Sequence, residues 1–239
     1  MENNERIMRI LMSVLLIPAM FLLAWQMASL QDEYVWMGRA WTDFGSEKPC
    51  IVIDPGHGGD DPGKVGVTGC YEKDINLEIA GKLKKFLEAE GIEVILTRDG
   101  DYGLYSEEDN NKKNTDMKNR VKKIEEVKPL LVVSIHQNSF VEEKIQGAQT
   151  FYYAKSKEGK CLAKQIQESL IKTLDEENKR VAKANDNYYL LKNTTYPLVI
   201  VECGFLSNTK ECELLENDYY QEKVAWAVYM GIMRFLNTK

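Results

Sequence analysis

The chain contains two histidines in 239 residues, His57 and His136, and both stand next to the end of an apolar segment. His57 follows the segment CIVID, and His136 closes the segment LLVVSIH. A third apolar segment, PLVIVE, closes on Glu202. Imidazole nitrogens and carboxylate oxygens bind zinc and also move protons in catalysis. These three side chains are therefore the first candidates for a metal site or for acid–base chemistry.

A glycine-rich loop surrounds His57 and ends at Glu72. Residues 56–69 hold six of the sixteen glycines of the chain, and glycine lets the backbone approach a bound group closely. Two histidines, one carboxylate and an open position for water form a recognised catalytic zinc site. The predicted ligands of one Zn²⁺ are therefore His57, Glu72 and His136. Glu202 is then the carboxylate left to activate water.

Two other interpretations compete with this zinc site. A single histidine is more often a buried structural residue, but that does not explain why both histidines stand at strand ends. The segment 58–64, GGDDPGK, also fits the spacing of a phosphate-binding loop. Val65 replaces the Ser or Thr that would bind magnesium, and Asp60 and Asp61 would repel phosphate. No helix is predicted to begin at the end of this segment, so the sequence predicts no bound nucleotide.

Short apolar segments alternate with amphipathic ones from residue 49 onward, and these elements must position the site. Predicted strands are Cys50–Asp54, Ile92–Thr97, Leu130–His136, Gly147–Tyr153, Tyr188–Leu191 and Pro197–Glu202. Predicted helices are Asp74–Glu90, Asp116–Val127, Cys161–Leu174 and Asp218–Leu236. Strands that are apolar almost throughout are typical of parallel sheets covered on both faces. The predicted fold class is α/β, a mainly parallel twisted sheet of about six strands with helices on both faces.

Ligands of such sheets bind beyond the carboxyl ends of the strands. His57, His136 and Glu202 are therefore expected at one edge of the sheet. If both imidazoles bind one metal, no histidine is left for proton transfer. The general base must then be a carboxylate, and Glu202 stands at the right strand end.

Four motifs, in order, resemble one family of bacterial cell-wall hydrolases. They are IVIDPGHGGDDPG, CYEKDINLEIA, VVSIHQNS and YPLVIVECGFLSN, within a similarity that runs from about residue 50 to residue 236. In these motifs the chain is similar to the zinc-dependent N-acetylmuramoyl-L-alanine amidases. The resemblance implies a peptidoglycan substrate, in which the amide bond between the lactyl group of N-acetylmuramic acid and L-alanine is hydrolysed. It also implies zinc ligation by His57, Glu72 and His136, with Glu202 as the catalytic carboxylate.

Within this family the chain looks most like the amidases of sporulation and germination, which help to form muramic-δ-lactam in the spore cortex. It has HQNS at 136–139 where the family often has His-Ala-Asn-Ala, and Cys203 where a small polar residue is common. Two further residues are candidates for substrate binding. Asn138 would orient the substrate or simply form a turn, and Arg98 would bind a peptide carboxylate or pair with a neighbouring aspartate.

The first 48 residues are predicted to tether the catalytic domain to a membrane. The uncharged segment 10–30 is 21 residues long and would span about 31 Å as a helix, roughly a bilayer core. Arg6 and Arg9 precede it, which predicts a cytoplasmic N-terminus. The predicted organisation is a cytoplasmic segment at 1–9, a single-pass signal-anchor at 10–30, a linker at 31–48 and an extracytoplasmic zinc amidase domain at 49–239, facing the cortex space in sporulating cells. A cleavable signal peptide is the alternative, although no clean cleavage motif follows the apolar run.

Composition excludes several classes of protein. The chain has 31 Lys and Arg against 37 Asp and Glu, a net charge of -6, which argues against nucleic-acid binding. Its five cysteines form no C-x-x-C pair, which favours neither a disulfide framework nor a cysteine-based zinc site. The length fits one large domain with an appendage.

The loops bear on regulation and on partners. Only the segment 137–146 separates the second histidine from the next predicted strand, which leaves little room for an inhibitory helix. The expectation is an open site controlled by expression, location or an activating protein partner. The polar segment 100–115 is either a solvated excursion or a contact for a partner or glycan. Two alternative functions stay open: a membrane-tethered peptidoglycan-binding protein without catalysis, and another zinc peptidase or deacetylase of the cell wall.

Overall fold

The computed structural model describes residues 49–238. The predicted cytoplasmic segment, signal-anchor and linker (residues 1–9, 10–30 and 31–48) lie outside the described residues. Within 49–238, no helix combines the length and the apolar character that a membrane span needs.

A six-stranded sheet forms the centre of the described domain. Its strands are β1 (Cys50–Pro55), β2 (Glu93–Leu96), β3 (Leu131–Asn138), β4 (Gln149–Tyr152), β5 (Lys183–Ala184) and β6 (Leu198–Phe205), in the spatial order β2-β1-β3-β6-β4-β5. Strands β2, β1, β3 and β6 run parallel to one another, whereas β4 is antiparallel to β6. Strands β1, β3 and β6 are buried along nearly their whole length, as expected of apolar strands covered on both faces.

Helices cover both faces of this sheet, as predicted. They are α1 (Glu72–Ala89), α2 (Lys112–Val127), α3 (Lys157–Leu174), α4 (Tyr189–Asn193), α5 (Thr209–Glu216) and α6 (Asp218–Leu236). Helices α1, α3 and α6 pack together on one face. Helices α2 and α4 cover the other face, where Ile124 and Leu190 join Val52, Val132 and Ile200 of the strands in one buried cluster. The predicted α/β class is thereby confirmed for the described residues.

One local prediction is wrong, and two short elements were not predicted. The segment Tyr188–Leu191 was predicted as a strand, but Tyr189–Asn193 forms helix α4 and buries the adjacent Leu190 and Leu191 together. Two successive buried side chains do not fit the alternation of a half-buried strand. Helix α5 was not predicted; it is eight residues long and is capped by Asn208, whose side chain accepts a hydrogen bond from the backbone N–H of Glu211. Strand β5 was also missed, because two exposed residues carry no periodic signal.

Candidate metal centre and active site

His57 lies just beyond β1 in a backbone conformation that is unusual for a side-chain-bearing residue, with φ of 63°. Two contacts hold it there. Arg120 donates a hydrogen bond of 2.6 Å from Nη2 to the carbonyl oxygen of His57. Asp61 Oδ2 lies 3.0 Å from His57 Nδ1, which leaves Nε2 as the nitrogen that faces the site.

Glu72 is the first residue of α1 and lies between the two histidines. Its Oε1 is 3.3 Å from His57 Nε2 and 3.0 Å from His136 Nδ1. Its Oε2 accepts a 2.8 Å hydrogen bond from the backbone N–H of Lys64 in the glycine-rich loop. The start of a helix favours negative charge, so the sequence places this buried carboxylate where the backbone supports it.

His136 projects from β3 against the backbone of Gly56. Any side chain at Gly56 would clash with the His136 ring, which explains one glycine of the loop. The rings of His57 and His136 lie 5.0 Å apart at an interplanar angle of 79°. The structure therefore brings together the three residues predicted as ligands.

The charges in this cluster support one another. Burial lowers the pKa of His57, but hydrogen bonds to Asp61 and Glu72 outweigh that effect and raise the pKa to about 9. Burial raises the pKa of Glu72, but the hydrogen bonds and charges of His136 and His57 outweigh it and hold that pKa well below its usual range. The carboxylates of Asp61 and Glu72 therefore stabilise a positive charge in the space between the side chains, and a cation site requires such an environment.

The donor set fits a zinc ion. One potential ligand atom from each of His57, Glu72 and His136 lies within 4.8 Å of the other two. Two imidazoles and one carboxylate are the ligands of a known class of catalytic zinc site. Asp61 occupies the other ring nitrogen of His57, as carboxylates commonly do behind metal-binding histidines.

Glu202 lies beside this cluster but contributes no atom to it. It is paired with His136 across β3 and β6 and is 6% exposed. The hydroxyl of Tyr188 donates a 3.0 Å hydrogen bond to Glu202 Oε1, whereas Oε2 is buried without a hydrogen-bond partner among the described residues. Burial raises the pKa of Glu202, with a smaller contribution from the negative charge of Glu72. A carboxylate with a raised pKa and an unpaired oxygen is suited to exchange protons with water.

A cavity of about 290 Å³ opens over these residues. His57, Glu72, His136 and Glu202 all line it, and so does Asn138. The side-chain oxygen of Asn138 accepts a 2.8 Å hydrogen bond from the backbone N–H of Ser139, at an irregularity of β3. Asn138 therefore lies at the cavity and also supports the local turn, so that both of its predicted roles stay compatible with the structure.

Arg98 lies in a different environment from the predicted one. It is 1% exposed and does not line the cavity. Its guanidinium donates hydrogen bonds to the carbonyl oxygens of Pro55, Gly56, Lys73 and Gly100. Arg98 therefore holds the glycine-rich loop through these four carbonyl groups. Neither of its predicted partners, a peptide carboxylate or a neighbouring aspartate, is among the groups that it hydrogen-bonds in the described residues.

Three residues of the site were not predicted from the sequence as parts of it. Asp61 was considered only as a group that repels phosphate, and its position four residues after His57 was the available signal. Arg120 ties His57 to a buried aspartate, Asp54, through a 2.7 Å ion pair, but 66 positions separate these partners. Tyr188 was placed in a strand, and no spacing marked it as a partner of Glu202.

This fold and site define a class of protein: an α/β domain with a candidate metal centre and a separate carboxylate near the carboxyl ends of its parallel strands. The N-acetylmuramoyl-L-alanine amidase family matches residues 51–234, and the chain belongs to that family. The resemblance predicted from four motifs is confirmed, and with it the activity on the peptidoglycan amide bond.

Similar proteins come from several bacteria. The germination-specific N-acetylmuramoyl-L-alanine amidase of Bacillus subtilis (strain 168) is 42% identical over 192 residues, which cover 79% of this chain and 80% of that protein. The CwlD amidase of Clostridioides difficile, solved in complex with the GerS lipoprotein, superposes with a TM-score of 0.79 at 46% identity, covering 80% of this chain and 100% of that one. The amidase AmiC2 of Nostoc punctiforme superposes with a TM-score of 0.70 at 31% identity, over 80% of this chain and 99% of its own.

Proposed function

We propose that this amidase is zinc-dependent and cleaves the bond between the lactyl carbonyl of N-acetylmuramic acid and the nitrogen of L-alanine. His57, Glu72 and His136 are the proposed zinc ligands, and Glu202 is the proposed general base. The observation that carries this proposal is the convergence of three ligand atoms beside the unpaired, buried oxygen of Glu202.

Zinc, Glu202 and Tyr188 have different roles in the proposed hydrolysis. A bound zinc ion supplies a Lewis acid that polarises a carbonyl group and makes water acidic enough to react near neutral pH. Glu202 Oε2 takes the proton of the attacking water and then delivers it to the leaving nitrogen of L-alanine. Tyr188 holds Glu202 Oε1, which leaves the other carboxylate oxygen, Oε2, free of a hydrogen-bond partner among the described residues. The raised pKa of Glu202 brings the carboxylate closer to the pH at which it can both accept and return a proton.

The proposed biological role is removal of peptide stems during muramic-δ-lactam synthesis in the spore cortex. Similarity to a germination-specific amidase of Bacillus subtilis supports this role. The proposed location is the outer side of the cell membrane, with residues 10–30 as a signal-anchor, since that segment is uncharged and follows Arg6 and Arg9. An activating protein partner is also proposed, and the complex of the Clostridioides difficile amidase with a lipoprotein supports it.

The decisive experiment is mass spectrometry of peptidoglycan digested with the full-length protein, with and without a chelator. The expected products are free L-alanine amino termini on released stems and an intact glycan chain, and the chelator should abolish them. Cleavage within the stem, or loss of acetyl groups, would identify a different wall hydrolase. Unchanged peptidoglycan would identify a binding protein without catalysis, and full activity in the metal-free protein would contradict the zinc mechanism.

Glu202→Gln tests the assigned base. The variant keeps the shape of the side chain but cannot accept the proton, so turnover should fall about 100- to 10,000-fold. Zinc content should stay that of the wild type, because Glu202 is not among the proposed ligands. The exposed Glu213→Gln on α5 serves as the control. Wild-type turnover in Glu202→Gln would show that another group carries the proton.

A further inference from the structure

Two cysteines from distant parts of the chain meet beside the loop that leads to Glu72. Cys70 lies in that loop and Cys212 lies in α5, yet their sulfur atoms are 3.5 Å apart across 142 positions of sequence. Cys212 is fully buried and Cys70 is partly buried, and both are free thiols in the structure. The cysteine spacing alone gave no indication of this pair.

The backbone around the two sulfurs is already fixed. The loop closes a tight turn in which the N–H of Gly66 donates a 2.8 Å hydrogen bond to the carbonyl of Cys70. The N–H of Val67 donates to the carbonyl of Leu206 at 3.0 Å, which ties the turn to the end of β6. A side chain at Gly66 would come within 2.5 Å of the Cys70 sulfur and 2.7 Å of the Cys212 sulfur. The turn therefore leaves room for these two sulfurs and for little else.

The surroundings favour a sulfur–sulfur bond over a metal site. Glu216 is the nearest acidic group, but it is exposed and accepts a 2.6 Å hydrogen bond from the hydroxyl of Thr68. That hydroxyl also lies 3.3 Å from the Cys212 sulfur. Two thiols in contact need to approach by about 1.5 Å to reach the bond length of about 2.05 Å, which small side-chain rotations can supply. We propose that Cys70 and Cys212 are a disulfide site, which closes when the folded chain meets a disulfide oxidant.

The reaction is a two-step exchange with a small disulfide such as oxidised glutathione. The sulfur of Cys70, the more accessible one, attacks the oxidant, forms a mixed disulfide and releases one glutathione thiol. The sulfur of Cys212 then attacks the Cys70 sulfur and releases the second thiol. The protein loses two protons and two electrons, and the oxidant gains both. The proposed location outside the cytoplasm is an environment in which such bonds persist.

The bond would connect the start of α1, which carries Glu72, to a helix that packs against β6, which carries Glu202. Cys70 stands two residues before Glu72. Helix α5 is held to β6 because Glu211 Oε2 accepts a 2.8 Å hydrogen bond from the N–H of Phe205. A Cys70–Cys212 bond would fasten the start of α1 to α5, and it would close a loop of more than half the chain. Both effects resist unfolding.

The test treats the full-length protein with oxidised glutathione at mildly alkaline pH and maps its peptides by mass spectrometry. The expected result is one linked peptide pair, containing Cys70 and Cys212, and a midpoint of thermal unfolding higher by roughly 5 to 15 °C than in the reduced protein. Cys70→Ser should lose both the linked peptide and the shift, whereas Cys161→Ser should keep both. Each variant is compared with its own reduced form, so a general loss of stability does not imitate the result.

Three outcomes would overturn the proposal. One is a mixed glutathione disulfide on Cys70 without the internal bond, which would show that the two sulfurs cannot form a bond. The second is linkage spread over Cys50, Cys161 or Cys203. The third is an oxidation shift in the unfolding midpoint that persists in Cys70→Ser. The disulfide is detected by peptide mass and by thermal unfolding, and neither measurement depends on enzyme activity. A failure of the disulfide proposal can therefore be distinguished from a failure of the proposed amide hydrolysis.

Discussion

Glu72 and Glu202 are both buried glutamates within one site, yet their neighbours drive their pKa values in opposite directions. At Glu72, the two histidines outweigh the effect of burial and keep the side chain ionised. At Glu202, burial outweighs the stabilising effects of His136 and the Tyr188 hydroxyl, and the pKa rises. Paired carboxylates whose environments separate their pKa values commonly divide the roles in catalysis. This contrast supports Glu72 as a ligand and Glu202 as the proton carrier.

Tyr188→Phe tests how Glu202 is held. Among residues 49–238, the Tyr188 hydroxyl donates the one hydrogen bond that Glu202 Oε1 accepts, and this bond lowers the pKa of Glu202. Its removal should raise that pKa further, so the acidic limb of the kcat/KM profile moves to higher pH. At neutral pH kcat/KM should fall roughly tenfold, the value of one hydrogen bond to a charged group of about 1.5 kcal/mol.

The control for this variant is Tyr219→Phe, which removes a hydroxyl from an exposed position on α6. Partial recovery of Tyr188→Phe at higher pH would identify Tyr188 as a positioning residue. A pH profile that superimposes on that of the wild type would contradict the role given to Tyr188.

At the scale of the element, a buried ion pair connects the carboxyl end of β1 to α2. Asp54 accepts hydrogen bonds from Arg120 at 2.7 Å, Thr97 at 2.6 Å and Ser134 at 2.6 Å. Arg120 in turn donates to the carbonyl of His57. The helix thereby supports the loop that presents the first histidine. The sheet is thus connected to the candidate metal site by charged groups as well as by packing.

This network predicts a specific dependence of stability on pH. Burial raises the pKa of Asp54, but Arg120 and the two hydroxyl donors outweigh burial and lower it from 3.8 to about 2. Because the pKa is lower in the folded state, the stabilisation is complete above about pH 4 and is lost as the pH falls toward 2. The amount is about 2 kcal/mol, since one pKa unit corresponds to about 1.4 kcal/mol.

Asp54→Asn should remove this dependence and also leave Arg120 short of a charged partner. The free energy of unfolding at neutral pH should fall by about 3 kcal/mol in urea titrations, as expected when one member of a buried pair is lost. The difference in the free energy of unfolding between Asp54→Asn and the wild type should become smaller as the pH falls from about 4 to 2. Asp60→Asn, at an exposed aspartate of the glycine-rich loop, should stay close to the wild type. An equal difference at both pH values would show that the ion pair does not stabilise the fold.

At the scale of the whole molecule, the site residues that could be predicted from the sequence are those that stand at the ends of periodic apolar segments. His136 and Glu202 close two apolar strands, and parallel strands bring such ends to one edge, so their meeting was predictable. Glu72 was predictable because it ends the glycine-rich loop. The type and the order of the predicted elements were enough to place these three residues in one site.

The supporting contacts were not predictable for a physical reason. Asp54 and Arg120 are 66 positions apart, and Cys70 and Cys212 are 142 positions apart. Neither separation corresponds to the repeat of a helix or a strand. The partners of each pair come into contact only after the sheet and its helices have packed. Tyr188 was misplaced because a short run of tyrosines and leucines favours a strand locally, whereas packing against the sheet makes the next turn helical.

Zinc should stabilise the whole domain, because its proposed ligands come from the loop after β1, from α1 and from β3. An ion that binds only the folded chain adds about 2.7 kcal/mol at a free concentration of 100 times its dissociation constant. For a domain of this size the midpoint of thermal unfolding should rise by about 5 to 10 °C. Differential scanning fluorimetry with zinc and with a chelator measures the shift. His136→Ala should lose it.

The same measurement has a defined dependence on pH. A zinc-binding histidine must be unprotonated, whereas Asp61 and Glu72 raise the pKa of His57 to about 9 against the effect of burial. Below that pH, zinc must displace the proton held by His57, so the shift should shrink as the pH falls. Because this His57 pKa lies above the unfolded value, the metal-free chain gains stability from the proton below about pH 6.5 and loses it as the pH rises to 9. The zinc shift should therefore be largest near pH 9, and a shift that grows toward acidic pH would place the ion elsewhere on the chain.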